Sequence, residues 1–240
     1  MEWSDQGIIL SSRRYGETSA IVTLMTKQQG VHAGLVRGGA SKRKRGDLQP
    51  GNLVHAYWRG RLNEHLGNFN FELIRAHAAN IFGSPDTLAC LSSALAVSQS
   101  ALPEREPHPE IYQGLNVVLH SLLGKDWPSI YVKWELGLLA ALGFGLDFSC
   151  CVATGVTNNL IYVSPKSGCA VSGEAGEPYK KTMLALPKFL LEQEVSGSSS
   201  EIVEGLALTG FFLERHIFSH LHTKKLPAAR RRFSERMRKL

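Results

Sequence analysis

Cysteine is scarce in this sequence. The 240 residues hold four, Cys90, Cys150, Cys151 and Cys169, and the adjacent pair cannot easily bridge to each other. A disulfide framework is therefore not expected, which places the chain in a reducing cytoplasm. Long apolar runs are missing too: nothing approaches the roughly 18 residues of a membrane-spanning helix. The opening Met1-Glu2-Trp3-Ser4-Asp5-Gln6 is acidic and polar where a signal peptide is basic and then apolar, which argues against export. Catalytic signatures are equally thin. There is no GxSxG elbow, no phosphate loop ending in Gly-Lys-Ser/Thr, and no GxGxxG, since Gly143-Phe144-Gly145 lacks its third glycine. Internal repeats and long low-complexity tracts are also absent.

What is present suffices for a folded protein: 43% of residues are hydrophobic and 20% charged. The net charge of +6 is unevenly spread, with +5 over residues 1–75, −6 over 76–211 and +7 over 212–240. Two basic zones around an acidic middle fit a polyanion-binding surface, and also fit plain solubility.

The first 75 residues read as short strands between turn signals: 7–12, 18–26, 30–37, 51–59 and 66–74. Ala20/Val22/Leu24, Val31/Ala33/Leu35 and Phe69/Phe71/Leu73 alternate as half-buried strands do. Five strands with no intervening helix predict a small barrel. The OB-fold is the common five-stranded solution and leaves a face and loops free for oligonucleotides, while an SH3-like barrel would give much the same pattern. From about residue 80 the pattern turns helical. Ser84-Pro85-Asp86 reads as N-cap, first-turn proline and first-turn acid. Ile111, Leu115, Val118, Leu119 and Leu122 predict a second helix, and Ile130, Trp134, Leu138 and Leu142 a stripe on a third over 128–142. Residues 145–180 read as a small β-and-turn insertion. A helix is expected over 187–194, another from Glu201 through Leu221, and a basic tail helix beyond Pro227. The expected fold class is α+β, with a barrel domain over 1–78 and a helical domain over 79–240.

The strongest local feature is Arg37-Gly38-Gly39-Ala40-Ser41-Lys42-Arg43-Lys44-Arg45-Gly46 between the third and fourth strands. Four consecutive cations cannot pack inside, so a solvent-projecting mobile hairpin with phosphates as partner is expected. Arg59 and Arg61 lie near Tyr57 and Trp58, and Arg13 and Arg14 beside Tyr15. Cations beside exposed rings suit single strands, although alternation exposes only one of Tyr57 and Trp58. A zinc site is not supported, because Thr154 stands where the second ligand after Cys151 would be and Cys169 has no partner two residues on. His216 and His220 lack a HExxH glutamate. The carboxylate pairs Glu104/Glu106 and Glu192/Glu194 read as solvent-facing.

Several segments in order resemble the bacterial RecO family of recombination mediators and DNA-repair proteins: GIILSSRRYGETSAIVTLMT, LVRGGASKRKR, LQPGNLV, WELGLLAALGFGLDFSCCVATG, YVSPKSG, FFLERHIFSHL and LPAARRRF. The resemblance spans nearly the whole chain. It implies an N-terminal five-stranded OB-fold barrel and a helical domain carrying a small zinc-ribbon-like insertion. It also implies a nucleoid-associated, non-catalytic role: binding single- and double-stranded DNA, annealing complementary strands, and working with RecR. The same resemblance implies contact with the acidic C-terminal tail of single-stranded-DNA-binding protein and, indirectly, help in loading RecA. Carried over by position, the DNA contacts are Arg37, Lys42, Arg43, Lys44 and Arg45, with Arg59 and Arg61. Lys224, Lys225, Arg230, Arg231 and Arg232 form a second basic zone. Some relatives hold zinc with four cysteines; here Cys151 alone remains, so no metal and no other cofactor is expected. Two rival readings use the same residues differently: an OB-fold module acting on ribosomal or transfer RNA, or a thiol or metal hydrolase at Cys150/Cys151 and His216/His220.

Overall fold

The computed structural model describes residues 1–62, 65–81, 83–191, 196–220 and 225–240. Five strands come first: β1 (Glu2–Tyr15), β2 (Ser19–Thr26), β3 (Val31–Val36), β4 (Leu53–Arg59) and β5 (Asn68–Arg75). Around the ring they run β1-β2-β3-β5-β4, and β4 pairs back onto β1, closing a barrel. Every pairing is antiparallel except β3 with β5, which meet in parallel at Leu35 and Asn68. This is an OB-like sheet followed by helices, and the fold is α+β as expected.

Alternation sets which side chains fill the barrel. Ile9, Ala20, Val22, Leu24, Val36, Val54, Ala56, Trp58 and Phe69 form its core, with Trp3 and Phe71 packed against it. Trp58 lies inside at 1% exposure while Tyr57 faces out at 42%, which resolves the alternative left open by the sequence. Trp58 Nε1 donates to the Leu66 carbonyl at 3.1 Å, so its one polar atom is satisfied. Gly67 makes that fit possible. Its φ is +61°, and a Cβ there would stand 2.3 Å from the Trp58 indole nitrogen. The first strand begins at residue 2 rather than 7 and is bulged between Ile9 and Ser11. Its extra residues are recruited by β4 through the register Glu2↔Arg59 to Ile8↔Leu53, a tertiary pairing that a polar hexapeptide does not signal.

Four helices complete the first compact unit, residues 1–123: α1 (Lys42–Asp47), α2 (His77–Ile81), α3 (Pro85–Ala101) and α4 (Pro109–Ser121). Compactness thus groups α3 and α4 with the barrel, whereas the sequence-based boundary falls after residue 78. Ser84 caps α3, its hydroxyl accepting from the Thr87 amide at 3.5 Å. The expected hairpin of cations is corrected here: residues 42–47 form a short helix capped by Ser41, because that hydroxyl accepts from the Lys44 amide at 3.4 Å.

The second unit, residues 124–240, holds α5 (Trp127–Ala141), β6 (Leu160–Val163), β7 (Ala170–Ser172), α6 (Gly173–Gly176), β8 (Leu184–Ala185), α7 (Ser199–His216) and α8 (Ala228–Met237). The three strands form an antiparallel sheet in the order β7-β6-β8, so the insertion's sheet reaches residue 185. Helix α7 packs against α5 and α8. Ser198 and Glu201 make a reciprocal capping box at its start. Three expectations shift. The buried face of α5 runs through Trp127, Tyr131, Trp134, Leu138 and Leu139, with Ile130 and Leu142 only half-buried. Of the expected 187–194 helix, the described residues 187–191 hold a single tight turn, Lys188–Leu190, which Pro187 opens. The last long helix ends at His216, so His216 and His220 do not share a helical face. Glu192, Glu194, Leu221 and Lys224 lie outside the described residues. No helix among those described is long and apolar enough to cross a membrane.

Candidate nucleic-acid interface

In the first unit the basic residues stand on the barrel's exterior. Lys42, Arg43, Lys44 and Arg45 are all exposed, and α1 buries none of its residues. The helix is anchored by what flanks it. Leu48, next after it, is buried in the barrel core, and Asn52 Nδ2 donates to the Gly46 and Asp47 carbonyls at 3.0 and 3.1 Å. Lys44 Nζ reaches the Arg37 carbonyl at 3.3 Å, which draws the end of β3 and the basic helix together. No carboxylate lies within ion-pair distance of the four cations among the described residues. Their positive field is therefore unneutralised, the condition under which backbone phosphates bind by counterion release.

Two clefts gather these side chains with others. Ser12, Arg14, Ala20, Gly39, Ala40 and Arg45 line one of about 210 Å³. Arg14 thereby joins Arg45, although 31 residues separate them in sequence; its guanidinium also donates to the Gly16 and Glu17 carbonyls at 3.2 and 3.0 Å. A larger cleft of about 800 Å³ brings Arg37, Tyr57 and Arg59 beside Asn68 and Asn70. Arg59 pairs with Glu2 at 3.0 Å, both largely in solvent. Arg61 is exposed just past β4. The two asparagines escape a search for charge, yet the alternation Asn68-Phe69-Asn70-Phe71 puts the rings inward and the amides out.

The second basic zone is only partly a surface. Lys225, Arg231 and Arg232 are exposed, whereas Arg230 is fully buried, and its assignment as a phosphate contact is corrected. Arg230 Nε and Nη2 donate to Glu135 at 2.5 and 2.8 Å, and Nη2 also reaches the Leu206 carbonyl at 2.9 Å. Tyr131 and Thr209 hydroxyls donate to the same carboxylate at 2.8 and 2.5 Å. Both charges are buried, and their fork-to-carboxylate geometry leaves no room for a phosphate.

The remaining candidates carry structure. His216 is sandwiched between Phe144 and Phe212, with ring centroids 4.8 and 5.9 Å away. Burial, then Arg215 and His220, holds its pKa below the ordinary histidine value. The residues around Cys151 do not fit zinc. The thiol is 1% exposed, and Thr154 and Ser172 rather than further cysteines lie beside it. Burial pushes that thiol up, but the polar groups of Thr154, Ser172 and Ala153 outweigh it and bring the pKa down to about 6. Hydroxyl donors stand where a tetrahedral site needs thiolate or imidazole, and among the described residues no group of three or more His, Cys, Asp or Glu is placed to hold a metal.

The family model described as Recombination protein O N terminal matches residues 1–77, and Recombination protein O C terminal matches residues 83–225. DNA repair protein RecO of Rhodospirillum centenum is 52% identical over 241 residues, covering 100% of this chain and 96% of that relative. The RecO proteins of Phenylobacterium zucineum and a Ruegeria species are 47% and 44% identical, each alignment covering at least 95% of both chains.

Proposed function

The chain belongs to the RecO family of DNA repair proteins, and from that premise we propose that it is a mediator of homologous recombination that works by binding alone. In this reading the exposed, unpaired cations Arg37 and Lys42 to Arg45, helped by Arg59 and Arg61, neutralise backbone phosphates on single and double strands. Lowering the repulsion between two strands lets complementary bases meet, so annealing needs no nucleotide hydrolysis. Lys225, Arg231 and Arg232 extend the basic surface of the second unit. The observation that carries the reading is the cluster of four exposed cations on α1, held outside a barrel of the OB type.

Partners follow from the same premise. RecR and, indirectly, RecA would act with the DNA-bound chain. The acidic tail of single-stranded-DNA-binding protein calls for an apolar pocket with a cation at its rim. A cavity of about 420 Å³ in the second unit, lined by Lys133, Leu136, Gly137, Ala140, Leu146, Phe148 and Leu190, has that composition. Lys133 Nζ stands 5.7 Å from the Phe189 ring centre beside it. The test is annealing of complementary oligonucleotides coated with single-stranded-DNA-binding protein, with and without that protein's acidic tail. Annealing that depends on the tail is expected; no acceleration over uncatalysed pairing on naked strands would refute the mediator reading.

A further inference from the structure

Two outer surfaces of the barrel differ in what they leave open. On β2, Ile21 and Met25 alternate with the core residues Ala20, Val22 and Leu24, so they point outward, yet they are 7% and 1% exposed. The start of β3 is covered as well: Val31 is buried, bridges to Glu104, and its carbonyl accepts from the Arg105 amide at 2.8 Å. Much of the β2–β3 face, which OB domains commonly use for oligonucleotides, is thus covered by protein, with Thr23, Ala33 and Leu35 half-buried between the covered positions. The outward side of β1, β4 and β5 is covered where Ile8 and Leu53 pair but open at its other end, where Glu2, Ser4, Tyr57, Arg59, Asn68 and Asn70 are all exposed. Register puts Ser4, Tyr57 and Asn70 in one row across the three strands, and Glu2, Arg59 and Asn68 in the next.

We propose that this face is a stacking platform for the bases of single-stranded DNA, centred on the exposed ring of Tyr57. The ring is 42% exposed, and its hydroxyl donates to Glu72 at 3.3 Å, which fixes it on the sheet. Asn68 and Asn70 flank it with amides that both donate and accept, matching the edges of unpaired bases. Arg37 and Arg59 border the same cleft at phosphate positions. The Glu2–Arg59 pair is solvent-exposed and correspondingly weak, so a phosphate displaces Glu2 as partner. A duplex hides its base faces and gains nothing from the ring. The platform therefore supplies preference for single strands, while α1 supplies affinity indifferent to strandedness. The inference rests on the reading above that the barrel binds DNA.

The experiment compares the whole chain with Tyr57→Ala and Tyr57→Phe, using a single-stranded oligonucleotide carrying 2-aminopurine and the matching duplex at one fixed salt concentration. Tyr57→Ala is expected to weaken single-strand binding about tenfold and to abolish the change in 2-aminopurine emission, because one stacked base contributes on that order. Duplex affinity should stay within about twofold, and Tyr57→Phe should retain the emission change because stacking needs only the ring. Equal single-strand affinity and emission change in the wild type and Tyr57→Ala would overturn the platform alone, with α1 still credited for binding. If the unaltered chain retains neither oligonucleotide, the platform and the wider DNA reading fall together.

Discussion

Replacing Arg230 by methionine tests whether a basic residue in the tail helix is core or surface. The substitution keeps most of the side-chain volume but removes the charge, leaving Glu135 buried at 0% exposure with only the Tyr131 and Thr209 hydroxyls as partners. Stranding one member of a buried pair costs about 3–5 kcal/mol. For a unit the size of residues 124–240, that corresponds to a melting temperature about 10–20 °C lower. Removing both charges is expected to cost less than removing one. In Glu135→Leu with Arg230→Met, no uncompensated ion remains, and the losses are the hydrogen bonds that the Tyr131 and Thr209 hydroxyls donate to Glu135 and those that Arg230 donates to the Leu206 carbonyl and to the Thr209 and Ser234 hydroxyls. Urea titrations followed through Trp127 and Trp134, both buried in this unit, give the three stabilities. Oligonucleotide affinity measured well below the transition should match the wild type. If Arg230→Met is as stable as the wild type and binds DNA more weakly, the guanidinium lies at the surface and the buried assignment is wrong.

Alanine at Lys42, Arg43, Lys44 and Arg45 together should leave the thermal transition nearly unchanged, since all four side chains are exposed. The plot of log affinity against log salt should flatten by about 2.8 on single strands and 3.6 on duplex if each cation contacts one phosphate; an unchanged slope removes α1 from the DNA surface. Acid should destabilise the first unit before most carboxylates titrate. His32 and His77 are each 4% exposed, and burial, aided by Arg105 for His32 and by His120 and Arg75 for His77, lowers both pKa values to about 4. Each side chain folds neutral and is charged in the unfolded chain below about pH 6.5, so its full stabilisation holds above that value and is lost as pH falls towards 4. The loss amounts to up to about 1.4 kcal/mol per pH unit for each histidine. A denaturation midpoint that does not move between pH 7 and pH 5 would refute this assignment.

The barrel was legible because its signal is local. Ala20/Val22/Leu24 and Phe69/Phe71 fall on one side of their strands, and the same alternation that built the core exposes Tyr57 and Asn70. Helix α1 was not legible, because Lys-Arg-Lys-Arg has no apolar period; its one cue is Ser41 three residues before the amide it caps. Arg230 misled for the opposite reason. Three arginines in a row read as surface when counted as charge. On a helix, however, Arg230 stands three and seven residues before the buried Phe233 and Met237, which is the spacing of a single face, while Arg231 and Arg232 rotate away from it. Glu135 carries the matching cue, lying between Tyr131 and Leu139 at intervals of four on the buried side of α5. An acid and a base, each on its helix's apolar stripe, predict one another once helical phase is weighed above composition.

The same contrast explains how the chain presents charge without sacrificing its fold. A six-residue helix is too short to be stable alone, and like charges along it repel. Helix α1 persists because its supports lie on the barrel: the Ser41 cap before it, Leu48 buried after it, and the Asn52 amide across its last carbonyls. None of these uses a cationic side chain, and the one structural contact the four cations make, from Lys44 Nζ to the Arg37 carbonyl, is solvent-exposed, so Lys42 to Arg45 remain available to phosphates. A bound phosphate backbone would relieve their mutual repulsion without breaking any contact the barrel needs. Arg230 is the converse, its donors consumed by Glu135, Leu206 and Ser234 and its charge spent on joining α5, α7 and α8. Basic residues of one chemical type thus divide between binding and packing according to whether a carboxylate meets them inside the fold.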